Sequence, residues 1–188
     1  MGQPWREAGM MMSKRNTFTD FIAAAEHLVK GKYTTSDRLV ITGQSAGGLL
    51  VGAAATLRPK LFKAVVTTSP FVDILNTMSD ATLPLTTGEY LEWGNPNVTK
   101  EYEYIKTYSP YDNIKATAYP AMFVQVSLND SRVGFWEGTK FVARLRELKT
   151  DSNPVLLSVN MGKAASTSAG WVCLASEPIT HRWRCMRS

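Results

Sequence analysis

The chain has 188 residues, of which 44% are hydrophobic and 20% are charged, as in an ordinary globular protein of one domain or a large piece of one. No apolar run approaches the roughly 20 residues that a membrane helix needs, and residues 1–15 lack the apolar core of a signal peptide. Composition therefore argues against a membrane partner, and we expect a cytoplasmic location.

The positive charge is concentrated at one end of the chain. Of the formal net charge of +5, residues 162–188 contribute +3 and the other 161 residues +2. A short basic end does not indicate nucleic-acid binding. Both cysteines, Cys173 and Cys185, lie in the same end without further metal ligands at a suitable spacing. We therefore expect no nucleic-acid partner, no metal, no cofactor and no disulfide framework.

Patterns typical of helices and of strands alternate along the chain. After an irregular start over residues 1–14, apolar residues recur at helical spacing and predict a helix from residue 16 or 17 to Gly31. Buried strands are predicted at residues 39–42, 63–68, 120–126 and 155–159. Further helices are predicted at residues 46–57, 102–108 and 136–148. This alternation predicts a parallel sheet with helices on both faces.

A serine motif joins the first predicted strand to the helix that follows it. Residues 43–47 read Gly-Gln-Ser-Ala-Gly, the G-x-S-x-G pattern of a nucleophile elbow. The serine backbone of such a turn is strained, and Gly43 and Gly47 would let strand and helix pack closely. The Ser45 hydroxyl would then project from the sheet, and the Ala46 N–H would stabilise an oxyanion at a helix N-terminus. The alternative is a glycine- and serine-rich loop that caps a core helix.

Two later regions are candidates for functional groups because of where they lie relative to the strands. Asp130 follows the third predicted strand, at the end where α/β proteins place functional side chains. The alternative is an aspartate that only closes a turn. Residues 71–110 mix aromatic, proline and carboxylate side chains without a clean period, which is typical of a substrate-contacting region. His27 lies on the first long helix, and we interpret it as a surface or core residue without a catalytic role.

Several segments, taken together, resemble the oligopeptidase B branch of the prolyl oligopeptidase family of serine peptidases. The segments read TFTDF at residues 17–21, GQSAGG at 43–48, PLTTGEY at 84–90, EWGNP at 92–96 and SPYDN at 109–113. The resemblance extends from about residue 1 to residue 162. It implies that residues 1–161 form part of an α/β-hydrolase catalytic domain, without the β-propeller and the N-terminal strands of the family. Residues 162–188 show no clear helix or strand period, and we expect them to be a divergent and poorly ordered tail.

The resemblance also implies a role for five residues. Ser45 would be the nucleophile, Asp130 the acid of the catalytic triad, and the Ala46 N–H an oxyanion donor. Arg132 matches the arginine that holds the substrate backbone, and Glu89 matches a carboxylate that selects arginine or lysine at the cleaved position of short peptides, by charge pairing. The alternative for Glu89 is a solvated loop charge.

Two positions depart from the pattern of the family. Leu91 stands where relatives carry a second acidic residue, so selectivity for basic residues is expected to be weaker. Ala165 stands where the catalytic histidine is expected, and His181 is the only histidine that follows the serine. A serine without a base within hydrogen-bond reach is a poor nucleophile.

Two functions therefore stay open from the sequence. The first is an active serine peptidase in which His181 supplies the base. The second is a catalytically impaired peptidase fragment that binds peptides or a partner, or is inert. A lipase or esterase of the same fold ranks below both, because such enzymes lack the segment at residues 88–96. An unpaired edge of the parallel sheet also predicts self-association.

Overall fold

Four strands form one parallel sheet in the computed structural model, which describes residues 2–162. The strands are β1 (Val40–Gln44), β2 (Ala64–Thr68), β3 (Ala121–Ser127) and β4 (Val155–Asn160), and they lie in the order β1-β2-β3-β4. Every neighbouring pair is parallel. The four strands predicted from the sequence and the parallel sheet are thus confirmed.

Seven helices occur within the described residues. They are α1 (Gln3–Glu7), α2 (Arg15–Lys30), α3 (Ala46–Leu57), α4 (Ile74–Ser79), α5 (Tyr90–Trp93), α6 (Thr99–Lys106) and α7 (Phe135–Leu148), with single 3-10 turns at Met11–Ser13 and Thr87–Glu89. The predicted long helices correspond to α2, α3 and α7, and the short predicted helix to α6. None of the helices within residues 2–162 combines the length and apolarity needed to cross a bilayer.

The prediction of an irregular start was wrong. Residues 2–14 contain α1 and the first 3-10 turn, although no residue of either is buried. Pro4 lies in the first turn of α1, where its fixed φ angle favours a helix start. These elements are too short for an apolar period to develop, and the sequence pattern therefore gave no sign of them.

One face of the sheet carries the main hydrophobic core. In one row across the four strands, Ile41, Val65, Met122 and Val155 are paired in register, and all four side chains are buried. Buried residues of α2, α3 and α7 pack against this face. Because alternate side chains of a strand point to opposite faces, the neighbouring row belongs to the other side of the sheet.

The opposite face of the sheet is more exposed. Val40 and Leu156 on this side expose 54% and 51% of their surface, and Val66 and Phe123 are partly buried. The sequence predicts helices on both faces; within residues 2–162, the helices whose buried side chains pack on the sheet are α2, α3 and α7, and all three pack on the first face.

Helix α3 is enclosed on two sides. Val51, Ala54 and Ala55 belong to the core on the sheet, whereas Leu49 and Ala53 belong to a second buried cluster. The second cluster is supplied by α2 and the segment at residues 71–108, through Phe18, Phe71, Ile74, Leu75, Met78, Trp93, Ile105 and Tyr108. A helix that is apolar all round is buried on all sides. The two clusters together fix the position of α3, the helix that follows Ser45.

Candidate active site

Ser45 occupies a strained turn between β1 and α3. Its backbone angles are φ 53° and ψ −119°, which lie in a region that residues other than glycine rarely adopt. The Ser45 N–H donates to the Thr68 carbonyl oxygen at 3.1 Å, and the Ser45 carbonyl oxygen accepts from the N–H groups of Gly48 at 2.8 Å and Phe71 at 3.1 Å. Bonds to β2, to α3 and to the segment after β2 thus hold the strained conformation in place.

The glycines around Ser45 are needed for close packing at two positions. A Cβ atom on Gly43 would lie 2.1 Å from the Gly47 carbonyl oxygen, and one on Gly48 would lie 2.6 Å from Pro70 Cα. A Cβ atom on Gly47 would meet nothing within 4 Å. The sequence motif predicts close packing at Gly43 and Gly47, whereas the structure requires it at Gly43 and Gly48. The backbone of Gly47 lies against Gly43, but a Cβ atom on Gly47 would point into open space.

Ser45 opens onto a small pocket that brings together four of the five site residues predicted from the sequence. Ser45, Ala46, Glu89 and Arg132 all line this pocket. The remaining wall is largely apolar and consists of Phe71, Thr77, Met78, Leu83, Leu85, Thr86, Trp93 and Val133. Ala46 is the first residue of α3, and the N–H groups of the first helical turn have no partner within the helix. An anionic oxygen could therefore be bound beside Ser45.

Asp130 is not among the pocket residues, but it binds the backbone of Arg132 and Val133, which are. Its Oδ1 atom accepts from the N–H groups of Arg132 at 2.9 Å and Val133 at 3.0 Å. Burial raises the pKa of the Asp130 carboxyl, but these two N–H groups, the Ser69 hydroxyl and the Arg132 charge together hold that pKa below its ordinary value. The carboxylate is therefore ionised at neutral pH. The same bonds close the turn after β3. Asp130 therefore also closes a turn, which is the alternative role that its position in the sequence allows.

Glu89 is fixed by the indole of a buried tryptophan. Its Oε2 atom accepts from Trp93 Nε1 at 2.7 Å. The buried Lys14 ammonium lies 4.4 Å from the Trp93 ring centroid and 2.6 Å from Glu92 Oε1. Glu92 is thus paired with a cation, while no ion pair within residues 2–162 includes Glu89. The role of Lys14 could not be predicted from the sequence, because its partner Glu92 lies 78 residues away. Trp93 lies only four residues after Glu89, but the segment has no clean period that would place its indole on that carboxylate.

Arg132 and Leu91 differ in their relation to the pocket. Arg132 is exposed, lines the pocket and forms no ion pair within the described part of the chain. Leu91 exposes 73% of its surface and is not among the pocket residues. An exposed guanidinium at the rim can donate to a carbonyl or carboxylate of a bound peptide.

No histidine lies at the pocket within residues 2–162. His27 is exposed in the last turn of α2 and does not line the pocket. The predictions that concern Ala165, His181 and the tail at residues 162–188 fall, apart from Gly162, outside the described residues. Within the described part of the chain, no group of three or more His, Cys, Asp or Glu side chains could hold a metal ion.

Comparison with known proteins connects this geometry to one family. The family model described as the prolyl oligopeptidase family matches residues 1–166. The chain is 52% identical over 162 residues to Protease 2 of Moraxella lacunata, and 53% identical over 161 residues to dipeptidyl aminopeptidase BI of Pseudoxanthomonas mexicana. Each alignment covers 86% of this chain, but only 24% and 22% of the respective relative. The chain thus spans less than a quarter of the length of these curated relatives.

Solved structures give the same result. Oligopeptidase B from Leishmania major is similar with a TM-score of 0.79 and 54% identity, over 81% of this chain and 21% of that protein. Oligopeptidase B from Trypanosoma brucei with covalently bound antipain is similar with a TM-score of 0.81 and 52% identity, over 82% of this chain and 22% of that protein. The resemblance inferred from the sequence segments is confirmed, as is the α/β-hydrolase fold.

The glycine geometry leads to a test of the elbow. We expect Gly43→Ala to lower the free energy of unfolding by about 3 kcal/mol, because its Cβ overlaps backbone that cannot move aside. Gly47→Ala is the matched control and should stay within about 1 kcal/mol of the unmodified chain, since alanine favours the helix. Urea unfolding followed by circular dichroism measures both. Equal losses in the two variants would contradict this account of the turn.

Proposed function

Because this chain belongs to the prolyl oligopeptidase family, we propose that it is part of a serine peptidase that cleaves short peptides through Ser45. The observation that carries the proposal is the strained turn that presents Ser45 to a pocket shared with Ala46, Glu89 and Arg132. A serine at the start of a helix, next to N–H groups without helical partners, is suited to acyl transfer.

The proposed chemistry is acyl transfer in two steps. The Ser45 hydroxyl oxygen attacks the peptide carbonyl carbon, its proton passes to a base, and the Ala46 N–H binds the oxygen of the tetrahedral intermediate. Collapse of the intermediate breaks the peptide C–N bond, the amine leaves with the proton, and water then hydrolyses the ester. Asp130, ionised at neutral pH, would hold a protonated base in the required orientation. The covalently bound antipain of the T. brucei relative supports a covalent mechanism in the family.

The base is the component that separates two versions of this function. In the first version His181 accepts the proton of Ser45, and the chain is an active peptidase. In the second version no base reaches Ser45, and the chain is a catalytically impaired fragment that retains the pocket. Loss of one triad member leaves only a small residual rate, so the two versions differ by several orders of magnitude in activity.

Covalent labelling of Ser45 tests the proposal. We expect a fluorophosphonate probe to label the purified chain, and the Ser45→Ala variant to give no label. If His181 is the base, His181→Ala should lower the labelling rate by at least 100-fold, whereas His27→Ala, the matched control on α2, should not change it. Absence of labelling in a chain that circular dichroism shows to be folded would contradict the active version and leave the impaired fragment.

We further propose that the pocket takes a cationic side chain at the cleaved position. The Glu89 carboxylate lines the pocket, is oriented by Trp93 Nε1 and has no ion-pair partner within the described residues. A guanidinium or ammonium group that enters the pocket would meet this carboxylate among apolar side chains. Because such surroundings have a lower dielectric constant than water, the ion pair would be stronger there than in water.

Binding of benzamidine, a small mimic of an arginine side chain, tests this specificity without requiring catalysis. We expect Glu89→Gln to weaken benzamidine binding at least tenfold in isothermal titration calorimetry, because a charge-assisted bond is lost. Glu103→Gln, which alters an exposed carboxylate of α6 outside the pocket, should leave the affinity unchanged. Equal affinity for the unmodified chain and Glu89→Gln would contradict the proposed role of Glu89.

Self-association is a separate part of the proposal. Val40 and Leu156 lie on the exposed face of the sheet, and β1 forms an edge with no strand paired beyond it within residues 2–162. Exposed edges and apolar faces of this kind favour association between chains. We expect size-exclusion chromatography at micromolar concentration to show dimers or larger species. A sharp monomeric peak would contradict this expectation.

A further inference from the structure

A buried carboxylate on α7 has no part in the chemistry described above. Glu137 exposes only 1% of its surface, although burial of a carboxylate is unfavourable. Its Oε2 atom accepts from the Asp73 N–H at 3.0 Å, and its Oε1 atom accepts from the Thr77 hydroxyl at 2.8 Å. Both oxygens therefore bind one segment, α4 with the residue that precedes it, at partners that lie 60 and 64 residues away in the chain.

The segment that Glu137 holds leads directly into the pocket wall. Thr77 lines the pocket, and its carbonyl oxygen accepts from the buried Thr86 hydroxyl at 2.9 Å. Thr86 lines the pocket as well, and its carbonyl oxygen accepts from the Glu89 N–H at 3.2 Å. A continuous series of hydrogen bonds thus runs from Glu137 through Thr77 and Thr86 to the backbone of Glu89.

Helix α7 also fixes the opposite wall of the pocket. It begins at Phe135, two residues after the pocket residue Val133, and the Glu137 N–H donates to the carbonyl oxygen of the intervening Gly134 at 3.1 Å. One residue of the first turn of α7 thus lies between the loop that carries Arg132 and the segment that carries Glu89.

From this geometry we propose that Glu137 is a positioning residue. It sets the distance between the two walls of the pocket, which are the loop that carries Arg132 and the segment that carries Glu89. The inference rests on the proposed function, because it concerns the shape of the same pocket. Glu137 does not touch the substrate; it acts through Thr77 and the backbone of Asp73. Its effect is therefore on binding of the cationic side chain, and not on the attack by Ser45.

A role in packing alone is a poor explanation for this carboxylate. An apolar side chain of similar volume would fill the same space without the cost of burying a charge, and such replacements are often neutral or stabilising. The neighbouring Asp73 carboxylate is buried too, and it is paired with Lys140 and with the Asn76 amide. Two buried carboxylates at one junction fix its geometry through directed hydrogen bonds, which apolar contacts cannot do.

The protonation of Glu137 suggests a conservative replacement. Burial, together with the nearby Asp73 charge, raises the pKa of the Glu137 carboxyl to about 7, against the bonds from Asp73 and Thr77 that lower it. Glutamine resembles the protonated form. Its carbonyl oxygen can accept from the Asp73 N–H, and its NH₂ group can donate to the Thr77 hydroxyl, so both links are kept.

The test compares three variants of the full chain by benzamidine affinity and by amide hydrogen exchange of residues 74–89. Glu137→Leu removes both links, and we expect at least tenfold weaker binding and at least tenfold faster exchange in this segment. Thr77→Val removes one link, and we expect about threefold changes in each. Glu137→Gln should remain within twofold of the unmodified chain. Exchange in β2 and β3 reports whether each variant is folded.

Each outcome decides the inference. The inference would be overturned if both Glu137→Leu and Thr77→Val had the same benzamidine affinity and the same amide exchange as the unmodified chain. Loss of binding in Glu137→Gln equal to that in Glu137→Leu would also overturn it, because the hydrogen bonds would then not be the cause. If the unmodified chain does not bind benzamidine, the cationic pocket of the proposed function fails, and the exchange of residues 74–89 decides the role of Glu137 alone.

Discussion

The strained backbone of Ser45 is the constraint on which the rest of the site depends. A non-glycine residue with φ 53° and ψ −119° costs about 1–3 kcal/mol, and this conformation persists only because its surroundings hold it. Here the amide and carbonyl groups of Ser45 bind β2, α3 and Phe71. The core on both sides of α3 keeps these partners in place, so the fold stabilises a turn that no local preference would maintain.

The pocket follows from the same arrangement. Because the strands are parallel, the segments after β1, β2 and β3 emerge at one edge of the sheet and supply Ser45, Phe71 and Arg132 to one pocket. The segment after β2 returns to this edge through α4 and contributes Glu89. Hydrogen bonds from Trp93 to Glu89 and from Asp73 and Thr77 to Glu137 hold this segment in position, because it is not itself part of the sheet.

The sequence predicts the parts of this site that depend on local pattern. Apolar runs and glycines predict the strands and the turn at Ser45, and the position of Asp130 after a strand predicts its place near the pocket. The roles of Lys14 and Glu137 could not be predicted, because their partners lie 78 and 64 residues away, and only the folded chain brings them together. The exchange of roles between Gly47 and Gly48 likewise depends on the direction of a Cβ atom, which the motif does not encode.

The most direct test of the central claim is the stability of Ser45→Gly relative to Ser45→Ala, measured by urea unfolding. Both variants lack the hydroxyl, but glycine adopts a positive φ angle without strain. If the fold holds Ser45 in a strained conformation, Ser45→Gly should be more stable than Ser45→Ala by about 1 kcal/mol, even after the greater entropy of glycine in the unfolded chain is included. A glycine variant that is equal to or less stable than the alanine variant would contradict the account.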